Sequence, residues 1–209
     1  MTMNDTSTIF YVAAKSWMIN AGLGSEIACL ESQRPGHVSE STFLAEAAWV
    51  IYNSGFREAT VRKHFDYISL CFCDWSSARE IVAAGSRCVN SAMLAIANRR
   101  KHEAVLEVAT RISAVGFDEF RSAMLESPLT FLQQLPFIGP VTAAHLAKNI
   151  GFDLAKPDRH LVRLQKHLGY ADVEAMCAHF AAATGDSVRV VDLVLWRYLE
   201  RHGHEDDDA

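Results

Sequence analysis

The sequence predicts an all-α protein. Apolar residues recur at helical spacing in many segments, and no long run alternates apolar with polar residues as a half-buried strand does. No Asn-Gly or Asp-Gly pair, the strongest short signal of a β-hairpin, occurs in the chain. With 50% hydrophobic and 22% charged residues, the composition is that of a globular protein whose helices pack around an apolar core.

The first half of the chain contains a helix that we expect to be central. Leu44, Ala47, Ala48 and Ile51 follow i, i+3, i+4, i+7 spacing, and neighbouring apolar residues cover most of the remaining circumference. This helix is expected to end near Gly55. The segment before it, QRPGHVSES at 33–41, is predicted as a connection. Other helices in this half are predicted at 5–20, 57–71, 75–84, 88–98 and 101–115.

The second half begins with helices at 117–126 and 128–135, of which the latter has a favourable start. Ser127 is a capping residue and Pro128 suits the first helical position. Pro136 ends this helix, and Pro140 suits the start of the next one at 140–150. Later helices are predicted at 158–168, 172–183 and 187–201.

The turn PFIGP at 136–140 joins two helices, so its backbone amides lie next to the start of the second helix. The first amides of a helix lack internal partners, and the helix dipole favours negative charge there. Gly139 carries no side chain that would block a phosphate, so the turn suits anion binding. The alternative is an ordinary helical hairpin that packs inside a bundle, and spacing alone leaves both interpretations open.

Asp158 stands immediately before the predicted helix RHLVRLQKHLG, where it can act as the N-cap. A carboxylate in that position is held rigidly and in a favourable field. It is therefore suited to stabilising a developing cation or to orienting a water molecule. Capping and chemistry are compatible, so the position alone does not choose between them.

These residues carry a family resemblance over 135–163. Leu-Pro-x-Ile-Gly-x-x-Thr-Ala from Leu135, a glycine that ends the helix, and Pro-Asp-x-His-x-x-Arg from Pro157 resemble a motif of the helix-hairpin-helix–GPD superfamily of base-excision DNA glycosylases, which includes endonuclease III. The resemblance is looser over 42–60, where an apolar helix ends in NSGFRE. It implies an all-α fold with two helical lobes and a cleft between them.

The resemblance also implies an activity on double-stranded DNA. A damaged or modified nucleotide would be flipped out of the duplex, and Asp158 would be the catalytic carboxylate. The hairpin at 136–142 would hold a phosphate through main-chain amides, in some members with a bound monovalent cation. The residues expected to contact DNA are Phe137, Ile138, Gly139, Val141, Thr142, Lys148, Arg159 and Arg163.

Three departures from the family pattern refine this expectation. Bifunctional members carry a nucleophilic lysine where this chain has Val141, so we expect a monofunctional enzyme that uses water. Cys177 is the only cysteine after residue 88, which rules out the C-terminal four-cysteine cluster that holds iron–sulfur, and no terminal zinc ligand set is visible. Phe137 replaces a usual glycine and would be strained if that position has positive φ.

Four residues of the central helix and the turn after it are candidates for a base pocket or for a wedge that fills the gap left by a flipped base. Asn53 and Phe56 would form the wedge, or would only end the helix. Glu46 would read a base edge, or would be paired inside the bundle. Trp49 would stack on an extruded base, or would belong to the core.

Charge and cysteine content set the remaining expectations. The net charge is −5, but four acidic residues lie in the tail HEDDDA, so the rest of the chain is nearly neutral. The basic run at 98–102 would contact phosphates or form a solvated helix start. An odd number of scattered cysteines without an export signal predicts reduced thiols in a cytoplasmic protein. No apolar run reaches the ~18–20 residues of a membrane helix, so we expect no membrane binding. We also expect a monomer, and the departures from the family pattern imply no required cofactor or metal. Cys71, Cys73 and His64 could form a metal site, but buried thiols are the favoured interpretation.

We expect a single glycosylase-like unit over 1–209. Residues 41–150 would form a central lobe ending in the helix-hairpin-helix at 128–150, residues 1–40 and 151–200 a second lobe, and residues 201–209 a disordered acidic tail. The leading functional hypothesis is a DNA glycosylase that hydrolyses an N-glycosidic bond. The alternative is a DNA-binding module that keeps the hairpin and lacks chemistry.

Overall fold

The computed structural model describes the backbone of residues 3–203 and the side chains of residues 8–203. This part of the chain contains thirteen α-helices and no strand, so the predicted all-α class is confirmed. None of the described helices has both the length and the apolar composition that crossing a bilayer requires. Of the tail predicted to be disordered, residues 204–209 lie outside the described residues, and helix α13 includes Arg201 and His202.

The helices have the following bounds. They are α1 (Met3–Asn20), α2 (Gly24–Ser32), α3 (Glu40–Asn53), α4 (Glu58–Cys71), α5 (Ala78–Ala84), α6 (Ser86–Ala92), α7 (Arg99–Val115), α8 (Phe117–Glu126), α9 (Pro128–Leu132), α10 (Pro140–Asn149), α11 (Arg159–His167), α12 (Val173–Thr184) and α13 (Val188–His202). Two 3-10 turns, Pro35–His37 and Cys73–Trp75, lie between them.

Some predicted boundaries were wrong, for local reasons. Helix α2 was not predicted because it has no capping side chain before it and buries only Ile27, so it lacks both a start signal and an apolar stripe. Helix α5 begins at Ala78 rather than 75, because Cys73–Trp75 have positive φ and Ser77 caps the helix by accepting from the Glu80 amide. Helices α6 and α9 end earlier than predicted, at Ala92 and Leu132.

Contacts divide the chain into two compact units. The middle unit is Arg34–Ile150, and the terminal unit combines Met1–Gln33 with Gly151–Ala209. In the middle unit, α3 is buried along most of its length and packs against α4, α7 and α10. The predicted apolar helix is therefore the centre of its unit. Helix α10 also packs against α9, so α10 lies between α9 and the central helix α3 in this network of contacts.

In the terminal unit, α13 packs against α1, α2, α11 and α12 around a core that includes Tyr11, Met18 and Phe180. A polar network is built into this core. Asp186 accepts hydrogen bonds from the Tyr11 hydroxyl at 2.6 Å and from the Lys15 ammonium at 2.5 Å. This carboxylate connects α1 to the loop between α12 and α13.

The Asp186 network should contribute to stability only when the carboxylate is ionised. Burial alone would raise the pKa of Asp186, but the hydrogen bonds from Lys15 and Tyr11 outweigh burial and lower it below the ordinary 3.8. The contribution is therefore present above pH 3.8 and is lost as the pH falls through the lower folded-state pKa. We expect Asp186→Asn to reduce the free energy of unfolding by about 1–3 kcal/mol at pH 7.

Urea unfolding at pH 7 and pH 2.5 measures this effect. The difference between Asp186→Asn and the parent should shrink at the lower pH. Asp118→Asn is the control, because Asp118 pairs with Arg121 on the surface and its side chain is 90% exposed. We expect that control to change stability by less than about 0.5 kcal/mol. An Asp186→Asn effect as large at pH 2.5 as at pH 7 would contradict the assignment.

Candidate functional site

The turn between α9 and α10, at 133–139, has apolar residues that anchor it and others that face solvent. Leu135 and Ile138 are buried beside Leu132 at the end of α9. Phe137 is 37% exposed, and Gly139 is exposed as well. The anchoring residues hold the turn on the middle unit, so the backbone near residues 137 and 139 is presented outward. We call this segment the α9–α10 turn.

Backbone amides are available at the start of α10. The first bond of the helical series runs from the Ala143 amide to the Gly139 carbonyl at 2.8 Å. The amides of Val141 and Thr142 precede that bond, and within the described residues they have no hydrogen-bond acceptor. The Gly139 amide differs from the expectation, because it donates to the Thr142 hydroxyl at 2.7 Å. The amides that remain open to an external acceptor are thus those of residues 141 and 142.

Phe137 adopts the conformation that glycine usually provides. Its φ is 62°, in the left-handed region, where a side chain costs on the order of 1–2 kcal/mol. Gly139 has φ −93° and ψ −174°, which any residue can adopt. A Cβ at Gly139 would meet only the Thr142 hydroxyl, at 4.0 Å. Strain therefore lies at Phe137, whereas the missing side chain of Gly139 leaves open space outside the protein.

The expected DNA-contacting residues differ in accessibility. Arg159 and Arg163 are exposed on α11 of the terminal unit. Lys148 was expected to be a surface cation, but it is buried, with 9% exposure. Ile138 is also buried, so only its backbone can take part in binding. We therefore remove Lys148 from the set of phosphate-contacting side chains.

Two cations beside the α9–α10 turn were not predicted. The Arg100 guanidinium lies 5.8 Å from the centre of the Phe137 ring, and the Lys101 ammonium lies 4.9 Å from it. Arg100 is exposed, whereas Lys101 is only 3% exposed. The sequence showed the basic run at 98–102 but not that its members differ in burial. Consecutive charged residues at the start of a helix do not indicate which of them faces the protein.

One side of α3 carries the expected pocket residues. Glu46, Trp49 and Asn53 follow i, i+3, i+7 spacing and are all half-buried. The Trp49 ring packs edge-on against Phe65 at 5.1 Å, and the Asn53 amide donates to the Trp49 carbonyl at 2.9 Å. Trp49 and Asn53 are therefore held in place while part of each stays accessible. The structure brings these three residues together in one row, with Phe56 beyond the end of the helix.

Glu46 is an unusual carboxylic acid within this row. Its Oε2 accepts a hydrogen bond from the Asn149 side chain of α10 at 2.8 Å, and no cation pairs with it among the described residues. Burial raises the pKa of Glu46 above its ordinary 4.5, and the hydrogen bond from Asn149 offsets only part of that rise. Burial without a counter-ion disfavours the ionised form of the Glu46 carboxyl group.

Glu46→Gln should show how much stability the protein loses when the half-buried Glu46 carboxyl group ionises. Because the folded-state pKa is raised, the native state loses stability as the pH rises through that pKa, and it bears no cost below pH 4.5. We expect the variant to be more stable than the parent at pH 8 by about 1 kcal/mol, or about 2–4 °C in Tm, and equal to it at pH 4. Thermal unfolding at both pH values measures this. Glu107→Gln, on an exposed helical pair with Arg111, is the control and should show no such gain.

Asp158 caps α11 in the terminal unit, as predicted. Its Oδ1 accepts hydrogen bonds from the amides of His160 at 2.9 Å and Leu161 at 3.1 Å. Within the described residues Oδ2 has no hydrogen-bond donor, and the residue is half-exposed. One oxygen therefore fixes the orientation of the carboxylate, and the other remains available to an external group.

The segment that leads to Asp158 is anchored by carboxylates that the sequence did not reveal. The Lys156 amide donates to buried Asp192 of α13 at 2.7 Å, and the Ala155 amide donates to Glu174 of α12 at 2.8 Å. The Asp158 amide in turn donates to the Lys156 carbonyl at 2.8 Å. Asp192 and Glu174 thus fix the backbone on which the Asp158 side chain depends. These contacts span many residues in sequence, so no local pattern indicates them.

The described residues contain carboxylates, open backbone amides and free thiols that could carry chemistry. No group of three or more His, Cys, Asp or Glu side chains suited to a metal ion occurs among them. All five cysteines are free thiols, of which Cys88 and Cys177 are buried. The features that stand out are the open amides of α10, the row along α3 and the half-satisfied carboxylate of Asp158.

Comparison with known proteins finds no matching family model, no matching curated protein and no matching solved structure. The assignment of a function therefore depends on the residues and geometry described above.

Proposed function

We propose that this protein is a monofunctional DNA glycosylase, which removes a damaged or modified base from double-stranded DNA by hydrolysis. The carrying observation is the carboxylate of Asp158, whose Oδ1 is held by two amides while Oδ2 is left without a donor among the described residues. A residue needed only as a cap requires one oxygen. The half-exposed second oxygen supports a chemical role as well.

In the proposed reaction, the bond between the sugar carbon C1′ and the base nitrogen breaks, and the base leaves with the bonding electrons. Positive charge develops on the sugar, and Asp158 stabilises it through the accessible Oδ2. A water molecule then forms a bond to C1′ and gives up a proton, while the departing base gains one. The products are a free base and an abasic site. Electrostatic stabilisation of this kind is worth about 3–4 kcal/mol per well-placed group.

Two features of the α9–α10 turn support DNA as the substrate. The open amides of Val141 and Thr142 lie at the positive end of α10, where a phosphate oxygen can accept from both. The left-handed Phe137 occupies the place of a glycine in the family that this sequence resembles. Val141 stands where bifunctional members have lysine, which supports hydrolysis by water and not through a covalent Schiff base.

The row along α3 supplies the proposed base-recognising surface. Trp49 would stack on the base once the exposed Arg62 guanidinium, which lies 5.4 Å from its ring centre, moves aside. Glu46 and Asn53 would provide hydrogen-bonding groups on the same side of the helix. A flipped nucleotide needs both kinds of contact. Phe56, which follows the helix, is the proposed apolar wedge.

A screen for base release tests the proposal. The protein is incubated with duplexes that each carry one uracil, 3-methyladenine, 8-oxoguanine, hypoxanthine or hypermodified base, and abasic sites are revealed by alkaline cleavage. We expect release from at least one duplex, with the strand intact until alkali is added. Strand cleavage without alkali would contradict the monofunctional assignment. Binding of duplex DNA without release from any substrate would favour the non-catalytic DNA-binding module instead.

A further inference from the structure

Lys101 is a buried cation that touches two segments of the middle unit. Its ammonium donates to the carbonyls of Ile51 and Ser54, the latter at 2.6 Å, at the C-terminal end of α3. The same ammonium lies 4.9 Å from the ring of Phe137 in the α9–α10 turn and 5.5 Å from the ring of Phe56. A single charged group therefore contacts the end of α3 and the α9–α10 turn.

Burying the charged side chain of Lys101 is energetically unfavourable. The side chain is 3% exposed, and burial lowers its pKa to about 8. A buried ammonium is tolerated where acceptors and aromatic faces replace its water. The carbonyls at the C-terminal end of a helix carry partial negative charge, which suits this cation. The two carbonyls and two aromatic rings that contact the Lys101 ammonium thus suit a positive charge, although an apolar residue would be easier to bury.

The contact between the Lys101 ammonium and the Phe137 ring also offsets the backbone strain at Phe137. A phenylalanine in the left-handed region is strained. A cation over the face of an aromatic ring is stabilising, and the effect is larger where the cation is shielded from water, as Lys101 is. Lys101 therefore offsets strain that the α9–α10 turn would otherwise release by changing its backbone.

We propose that Lys101 is a positioning residue that ties the turn after α3, at 53–57, to the α9–α10 turn, so that both segments keep one fixed geometry for binding DNA. The functional part of this inference rests on the proposed glycosylase activity. The tie itself is a property of the protein without DNA. Its loss should loosen both segments together, although they are far apart in sequence.

Amide hydrogen exchange on the free protein tests the tie. In Lys101→Met we expect exchange to accelerate at least several-fold at the hydrogen-bonded amides of both segments, with no change across α8. The amides to follow are Ser54 within 53–57, and Ile138 and Gly139 within 136–142. Lys101→Arg, which keeps a charge and several donors, should restore much of the protection. Arg100→Met is the matched control. Arg100 contacts Phe137, whereas the side-chain hydrogen bonds to the carbonyls of Ile51 and Ser54 come from Lys101, so Arg100→Met should affect 136–142 alone.

The functional consequence is measured separately as affinity for duplex DNA. Lys101→Met should raise the Kd at least about tenfold at a temperature where the protein is folded, and Lys101→Arg should recover most of the loss. If the parent protein does not bind duplex DNA, the proposed function fails, and the exchange measurement still decides the tie. Exchange that accelerates in only one segment, or in neither, would overturn the inference.

A second variant covers the case in which Lys101→Met does not fold. Phe137→Leu changes a partly exposed side chain and removes the aromatic face above the ammonium. We expect this variant to remain folded, to accelerate exchange at 136–142 and to make Lys101 reactive toward an amine-specific ester that does not modify it in the parent. Unchanged exchange and unchanged reactivity of Lys101 would overturn the inference as well.

Discussion

Replacing Asp158 with asparagine is expected to lower the rate of base release at least about 100-fold while duplex binding is retained. Asparagine keeps an oxygen that can accept from the His160 and Leu161 amides, so the cap of α11 survives. It lacks the negative charge that the developing sugar cation requires. The change therefore separates the capping role from the chemical role.

Asp172→Asn is the matched control for this experiment. Asp172 caps α12 of the same unit by accepting from the Ala175 amide at 2.7 Å, and it is exposed. Both variants should alter the free energy of unfolding by less than about 1 kcal/mol, since asparagine and aspartate are similar caps. Only the Asp158 variant should lose activity. Full activity in Asp158→Asn would refute a catalytic carboxylate at this position.

The second large effect is expected from Gly139→Asp. We expect this change to raise the Kd for duplex DNA about 10–100-fold, which corresponds to about 1.5–3 kcal/mol for losing a charge-assisted contact. The new carboxylate would repel a phosphate and would compete for the open amides of Val141 and Thr142. Folding should not suffer, because the backbone at 139 suits any residue and a Cβ there meets no atom closer than 4.0 Å. Aspartate is also a better helix cap than glycine.

Filter binding at fixed salt, paired with thermal unfolding, measures this combination of weaker binding and unchanged or higher stability. Gly139→Asn separates charge from size, and it should lose less affinity than the aspartate variant. Gly36→Asp adds the same charge to the same unit at a glycine whose Cβ position is also open, and its affinity should change by less than about threefold. Equal losses at positions 36 and 139 would show that net charge, and not the α9–α10 turn, governs binding.

The helices could be predicted where local signals agree. The apolar stripe of α3 indicated a buried central helix, and its residues from Phe43 to Tyr52 are buried with few exceptions. The cap of α11 was readable from Asp158 followed by a helical segment, and the structure confirms it. Pro140 marked the first position of α10 in the same way. Such features depend on residues within one or two helical turns, which is the range that periodicity and capping describe.

The candidate site could be predicted only in part. Glu46, Trp49 and Asn53 were selected for their position in the chain, and their half-burial along one side of α3 required the structure. The burial of Lys148 and Lys101 was not foreseen, because the length of a lysine side chain lets it turn toward the protein or toward water. The hydrogen bond of Glu46 to Asn149 joins residues far apart in sequence, so no local pattern contains it.

By itself, the sequence determined the helical class, the capped start of α11 at Asp158 and the turn before α10, because each follows from backbone preferences and short-range spacing. The tertiary structure alone decided which cations are buried, which carboxylate oxygens are occupied and which backbone amides are open. Those outcomes depend on packing between segments distant in sequence, such as Lys101 with the end of α3 and Asp192 with the Lys156 amide. Burial changes the cost of every charge, and burial is set by the fold as a whole.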